Sequence, residues 1–307
     1  MKSFRKRGGD KIFPLTVLFL FYVLVSPGDG SPFTDGLGRP VDISESPRRI
    51  VSLAPNLTEV LFALGLDDRI VGVTSFCDYP EEARKKEKIG GFIHFSLEKL
   101  VFLKPDLVLA TADGNRKETV LQIERLGCPV YVVNPKTLDE ILEMIEALGT
   151  ITGTGEKAGA LVTALRKRID GVVAQTSGRE SPRVFLQVGT EGLITAGQGT
   201  FLDELIRLAG GINVAGSETV RYPRYGMEKV VALSPEVILV IAMDEEPLPW
   251  GFWKRWPEVP AVRSKRIYLL DADLVTRPSH RIVDGLEEMF SLIHRRENPH
   301  LRLKTKE

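Results

Sequence analysis

SLEKLVFLKPDLVLA, residues 96–110, has a second copy in GMEKVVALSPEVILV, residues 226–240. Matching places carry Glu98 and Glu228, Lys99 and Lys229, Val101 and Val231, Leu103 and Leu233, Pro105 and Pro235, Leu109 and Leu239. Each copy reads as a short helix stopped at a proline and followed by an apolar strand. A chain that builds this unit twice is expected to have two similar halves. The pattern continues on either side. RIVSLA, IVGVTS, DLVLA and PVYVV are short apolar runs, each followed by a helical pattern; VFLQVG, VILVIA and IYLLD repeat the arrangement later. Such alternation predicts parallel sheets covered on both faces. At the first helix, NLTEVLFALGL, Asn56 is placed to cap, with Glu59 as its capping-box partner. FTDGLGRPVDI reads as a hairpin.

Between the halves, GEKAGALVTALRKRIDGVVAQT (155–176) is one continuous helical pattern with apolar residues at spacings of three and four. About 22 residues span roughly 33 Å, the width of a small domain. The predicted fold class is α/β: two doubly wound α/β lobes joined by a single long rigid helix. The expected division is a signal peptide over 1–30, an N-terminal lobe over 31–152, a connecting helix over 153–178, a C-terminal lobe over 179–298 and a disordered tail over 299–307.

The start of the chain carries Lys2, Arg5, Lys6, Arg7 and Lys11, then the apolar run Ile12 to Val25, then SPGDG. A basic head, a short apolar run and a breaker predict export, with tethering as the alternative if the signal stays uncleaved. Lys+Arg and Asp+Glu are 41 each in 307 residues, so no net field draws the chain to nucleic acid. Two cysteines, Cys77 and Cys128, fall at the end of one predicted strand and the start of another. In a parallel sheet those lie at opposite ends, beyond disulfide reach, so free thiols are expected.

The motifs of an enzyme are not found. There is no G-x-S-x-G elbow and no G-x-x-x-x-G-K-[ST] phosphate loop. The four histidines share no metal-ligand spacing; His94 and His280 are kept only as weak candidates for touching a ligand or its metal. The loops are aromatic instead. SFCDYP, GGFIHF, RYPRYG and PLPWGFWKRW supply Phe76, Tyr79, Phe92, Phe95, Tyr222, Tyr225, Trp250, Phe252, Trp253 and Trp256. Part of that set is expected to pack under loops, and the rest to line a cleft for a large, flat, partly apolar ligand.

PRRIVSLAPNLTEVLFALGLDDRIVGVT, CDYPEEA and LEKLVFLKPDLVLA resemble the periplasmic binding proteins of iron-siderophore, haem and cobalamin ABC importers. SPRVFLQVG, ITAGQGTFLDELIRLAGG and DADLVTRPSHR are most similar to the cobalamin (vitamin B12) branch. The resemblance runs from about residue 33 to about 295. It implies a non-enzymatic, exported, monomeric protein that carries cobalamin or a related corrinoid between its lobes as transported ligand, and hands it to an ABC permease dimer coupled to an ATPase. Haem or a ferric siderophore is the alternative ligand; an exported chelate-processing enzyme or a tethered sensor is the alternative of another kind. The resemblance places Phe76, Phe92, Tyr222, Asp273, Arg277 and Ile194 at the ligand, the last where the family has an aromatic. It gives Tyr79 or Tyr222 to iron if the ligand is haem. It also gives Glu98 and Glu228 to arginines of the two permease subunits.

Overall fold

The structure, a computed structural model, describes residues 33–43, 46–189, 192–242 and 250–295. The expected signal peptide and tail lie outside them. Ten strands are described: β1 (Phe33–Thr34), β2 (Pro40–Val41), β3 (Ile50–Ser52), β4 (Ile70–Val73), β5 (Leu107–Thr111), β6 (Val130–Val133), β7 (Arg183–Val188), β8 (Ile212–Asn213), β9 (Val237–Ala242) and β10 (Ile267–Asp271). β1 and β2 form the hairpin, antiparallel, with Phe33 opposite Val41. The buried Asp35 closes its turn by accepting the N–H groups of Leu37 and Arg39 at 2.9 and 3.0 Å.

The other eight strands make two four-stranded sheets, ordered β4-β3-β5-β6 and β8-β7-β9-β10, with every pairing parallel. Counted within each half, both orders are second-first-third-fourth. The sequence repeat is therefore a repeat of topology: the helix Leu97–Phe102 feeds β5, and Met227–Leu233 feeds β9, the third strand of each sheet. In such sheets the strand order reverses direction beside the first strand, and ligands bind beyond the carboxyl ends there.

Period-two alternation sorts the strand side chains into three cores. Ile50, Leu107, Leu109, Tyr131 and Val133 of the first sheet share a core with Val184, Leu186, Val237, Leu239 and Ile241 of the second. Ala158, Val162, Leu165 and Val172 of the 22-residue helix Gly155–Thr176 belong to that same core. The alternate residues Val51, Val108, Val130 and Val132 face outward and are covered by Leu100, while Phe185, Ile238 and Val240 are covered by Val230. The twin helices thus occupy equivalent places on the outer faces of the two sheets.

The connecting helix is fastened at its side as well. Arg168 donates to Glu287 at 2.8 and 2.6 Å and to Asp284 at 2.5 Å, tying it to the helix Ile282–Ile293. Glu204, from the helix Phe201–Leu208, accepts the N–H of Leu138 at 2.8 Å and so caps the helix Leu138–Thr152 of the other lobe. Cys77 and Cys128 are free and buried.

One local expectation is corrected. The first helix, Pro55–Ala63, begins after Ala54 with Pro55 in its first turn, and no side chain caps it. Proline lacks the N–H that a cap would satisfy there. Asn56 instead donates to the Pro278 carbonyl at 3.3 Å, and Glu59 points away from the helix start, into a contact with the other lobe.

Candidate functional site

The segment after the carboxyl end of β4 carries the first candidate rings, and the loop after β5 brings Gly114 and Asn115 against one of them. Phe76 is 58% exposed and Phe92 half-buried. A Cβ placed on Gly114 would lie 1.9 Å from the Phe92 ring, so that ring rests directly on the glycine. Asn115 fixes the loop from below: its side chain donates to the Phe92 carbonyl at 3.2 Å and accepts the Thr111 N–H at 2.9 Å. The Phe76 ring edge is 3.8 Å from where a Cβ on Gly91 would stand. Phe76, Gly91, Phe92 and Gly114 therefore form one continuous wall.

The second lobe carries the candidates Tyr222 and Ile194. The segment around Ile194 pairs with the one around Tyr222 through an Ile194–Arg224 bridge and a hydrogen bond from Thr195 N to Pro223 O at 3.0 Å. Tyr222 leaves 44% of its surface open, yet desolvation on its covered side raises its phenol above the ordinary value. Asp113, the neighbour of Gly114 in the first lobe, pushes the same way, and Arg221 opposes both.

A polar cluster joins the two lobes. Asp273 and Arg277 follow β10 and pair at 2.7 Å. Arg277 also reaches the first lobe, donating to Glu59 at 3.0 Å and to Asp78 at 2.8 Å. Ser279 donates to Glu59 at 2.5 Å, and Arg281 to Glu59 at 3.2 Å. The Arg281 guanidinium lies 3.8 Å over the Tyr79 ring. Burial raises the Glu59 carboxyl, against the pull of Ser279, Arg277 and Arg281. Burial also acts on Asp78, but there the Arg277 hydrogen bond and charge prevail and hold the carboxyl below its usual value.

Other expected residues are elsewhere. Trp253 is wholly buried in the outer core of the second lobe, its Nε1 donating to Gln187 at 3.1 Å. Trp250, Phe252 and Trp256 pack on that core, and Tyr225 stacks on Phe185 inside it. These rings cover a sheet rather than line a cleft; the apolar face of β7 and β9 needs a lid, and this loop supplies it. Phe95 packs likewise on the outer core of the first lobe. His94 is exposed. His280 is mostly buried with Nδ1 unpartnered, and burial pushes it down to about 4. Among the described residues no group of three His, Cys, Asp or Glu stands close enough to hold a metal ion. The reach of Glu59 and Asp78 to the other lobe has no signal in the sequence, because nothing local marks a contact more than 190 residues away.

Glu98 and Glu228 are exposed, each in the first turn of its twin helix, where the helix dipole favours an anion. The lysine beside each is already engaged. Lys99 pairs with Glu87 at 3.2 Å and Lys229 pairs with Glu218. Among the described residues neither glutamate has an ion-pair partner, so both lobes present an unneutralised carboxylate at the same topological place.

A family model for periplasmic binding proteins matches residues 50–274. The chain is 33% identical over 247 residues to a vitamin B12-binding protein of Vibrio cholerae, covering 80% of this chain and 88% of that one. The crystal structure of the periplasmic vitamin B12 binding protein of Vibrio cholerae superposes with a TM-score of 0.73 at 32% identity, over 81% of this chain and 98% of that one. An uncharacterized ABC transporter substrate-binding lipoprotein of Bacillus subtilis is 34% identical over 85% of this chain and 84% of its own. A periplasmic haem-binding protein of Roseiflexus sp. RS-1, in apo form, superposes with a TM-score of 0.72 at 27% identity, over 80% and 98% of the two chains.

Proposed function

Because this chain belongs to the periplasmic binding protein family, we propose that it is the exported substrate-binding component of an ABC importer that captures cobalamin or a related corrinoid between its two lobes. It does no chemistry on the ligand; its work is selection and delivery. What supports the ligand class is open aromatic surface on both lobes, Phe76 and Phe92 on one and Tyr222 on the other, together with the charged cluster of Arg277, Glu59 and Asp78 that joins the lobes. Each ring offers roughly 150–250 Å² of apolar area, enough for a few rings to supply much of a tight affinity at about 25 cal/mol per Å². Asp273 and Arg277 offer an acceptor and donors for peripheral amides at the rim of a flat macrocycle. The likeness to vitamin B12-binding proteins across four-fifths of the chain points the same way.

Delivery is assigned to Glu98 and Glu228. Two unpaired carboxylates, one per lobe, suit a permease dimer that offers a cation from each subunit, the pseudo-symmetry of the carrier meeting the symmetry of the gate. The free carrier is taken as a monomer in the space outside the inner membrane, and the N-terminal residues as its export signal or tether. Haem is the second reading, favoured by Tyr79 under Arg281 and by the open phenol of Tyr222, either of which has an oxygen to give to iron.

Titration of the purified protein with cyanocobalamin, haemin and a ferric siderophore, followed by visible absorbance, decides among these. Saturable binding of cyanocobalamin is expected, weakened about tenfold, or about 1.4 kcal/mol, by Phe76→Ala or Tyr222→Ala. Saturation by haemin or the siderophore alone would replace the corrinoid reading.

A further inference from the structure

We propose that Glu59 is a positioning residue: with Asp78 it holds Arg277 and Arg281 of the opposite lobe, and so sets both the separation of the cleft walls and the direction in which Arg277 faces the cleft. The second effect rests on the ligand site proposed above; the first does not.

Glu59 stands on the helix that follows β3, and its side chain is wholly buried. All three of its donors, Arg277, Ser279 and Arg281, come from the other lobe. Asp78 adds a second grip on Arg277, and Asn56 a third on the carbonyl of Pro278. Three side chains of one lobe therefore clasp the five-residue segment 277–281 of the other. A carboxylate removed from water is costly unless its partners are in place. Here the partners are in place at the separation the lobes have, and moving the lobes apart would leave a buried carboxylate without them. Hydrogen bonds of this kind fall off steeply with angle and distance, so the clasp is directional as well as strong.

The same contacts fix the arginines. Arg277 donates from Nη1 to Glu59 and Asp78, and its Nη2 forms an ion pair with Asp273 at 2.7 Å. A guanidinium has five N–H groups, and those not given to Glu59 and Asp78 are held in plane before a ligand arrives. Ordering the donor in advance removes a cost from binding. Arg281, held by Glu59, is in turn the group stacked on Tyr79. One buried carboxylate thus fixes a donor and, through Arg281, bears on an aromatic ring.

The test uses the full chain with spin labels at Lys117→Cys and Lys254→Cys, both exposed and in different lobes, Cys77 and Cys128 being buried. The inter-label distance distribution is measured without ligand, and cyanocobalamin affinity by titration. Glu59→Gln keeps the shape and removes the charge; it is expected to broaden the distribution toward longer distances and to weaken binding at least tenfold. Asp78→Asn, at a carboxylate that is 40% exposed, should do the same to a smaller degree and serves if Glu59→Gln does not fold. Arg281→Gln added to Glu59→Gln removes the unbalanced cation and is expected to narrow the distribution again. A role in stability alone would lower the melting point and leave the distances as they were. An unchanged distribution in Glu59→Gln and Asp78→Asn overturns the proposal whatever the affinity does. Failure of the unmutated protein to bind cyanocobalamin overturns the ligand reading instead, and the distances still decide the clasp.

Discussion

Gly114 is conspicuous at the scale of single residues, because the Phe92 ring occupies the space of its missing side chain. Gly114→Ala must drive the ring outward. The expected cost is about 1–3 kcal/mol, as for other overpacked sites. The diagnostic is non-additivity: in the Phe92→Ala background the same change should cost little, since the clash is gone. Denaturant midpoints of the four proteins measure this, and additive effects would show that the ring is not seated on the glycine. His280 makes a pH prediction. Burial holds it near 4 against 6.5 in the unfolded chain; Arg281 and Arg168 push it the same way, and Asp284 opposes them. Between those values the unfolded chain binds the proton and the native protein does not. Stability is therefore full above about pH 6.5, falls as pH drops toward 4, and levels below, by up to about 3 kcal/mol. His280→Gln should flatten that slope in urea titrations at pH 7 and pH 4.5, and a slope equal to that of the unmutated protein would assign the loss to other groups.

Among the elements, the twin helix–strand units agree in details finer than their topology. Lys104 and Ser234, which end the turns after the two helices, both have φ of 46°. The acid after each proline then clamps the start of the first strand of its sheet. Asp106 accepts the N–H groups of Arg48 and Arg49 at 2.7 and 2.8 Å, and Glu236 accepts that of Arg183 at 2.9 Å. With two charge-assisted bonds against one, Asp106→Ala should cost about 1–2 kcal/mol and Glu236→Ala roughly half, reduced by their exposure. Equal losses in thermal or urea unfolding would mean that the strand starts are held by the sheet alone. These units were legible in the sequence because an apolar run between turn residues has few other uses, and their parallel pairing followed from the helices between them. The aromatic loop 250–256 was not. Trp253 in a core and a tryptophan in a cleft have the same local neighbours, and only the packing of β7 and β9 separates them. Asn56 and Glu59 fitted a local capping pattern and were drawn into the other lobe, because Pro55 had removed the need for a cap.

For the molecule as a whole, the two sheets share one core through the connecting helix, so the lobes do not behave as separate bodies on a free hinge. A carrier of this kind is expected to close little on loading, which leaves its outer surface as the part proposed for docking. That surface repeats one charge per lobe. Lys99 and Lys229 are neutralised by Glu87 and Glu218, which leaves Glu98 and Glu228 as the unanswered charges of the twin helices. Both belong to helices that cover the outer faces of the sheets, whereas Phe76, Phe92 and Tyr222 belong to loops, so docking and binding are expected to be separable. Glu98→Lys or Glu228→Lys is expected to abolish uptake in cells and binding to the permease in vesicles, while the affinity of the purified carrier for its ligand stays within about twofold. Each lost contact is worth roughly 1.5–3 kcal/mol when well formed, and reversal adds repulsion, so one substitution should suffice. Matching charge reversal of an arginine in both permease subunits should restore uptake by the Glu98→Lys, Glu228→Lys double variant and abolish it for the unmutated carrier. A double variant that still loads the permease normally would mean that the paired carboxylates serve only their helix starts; one that loses ligand affinity would mean that the two faces are coupled through the shared core.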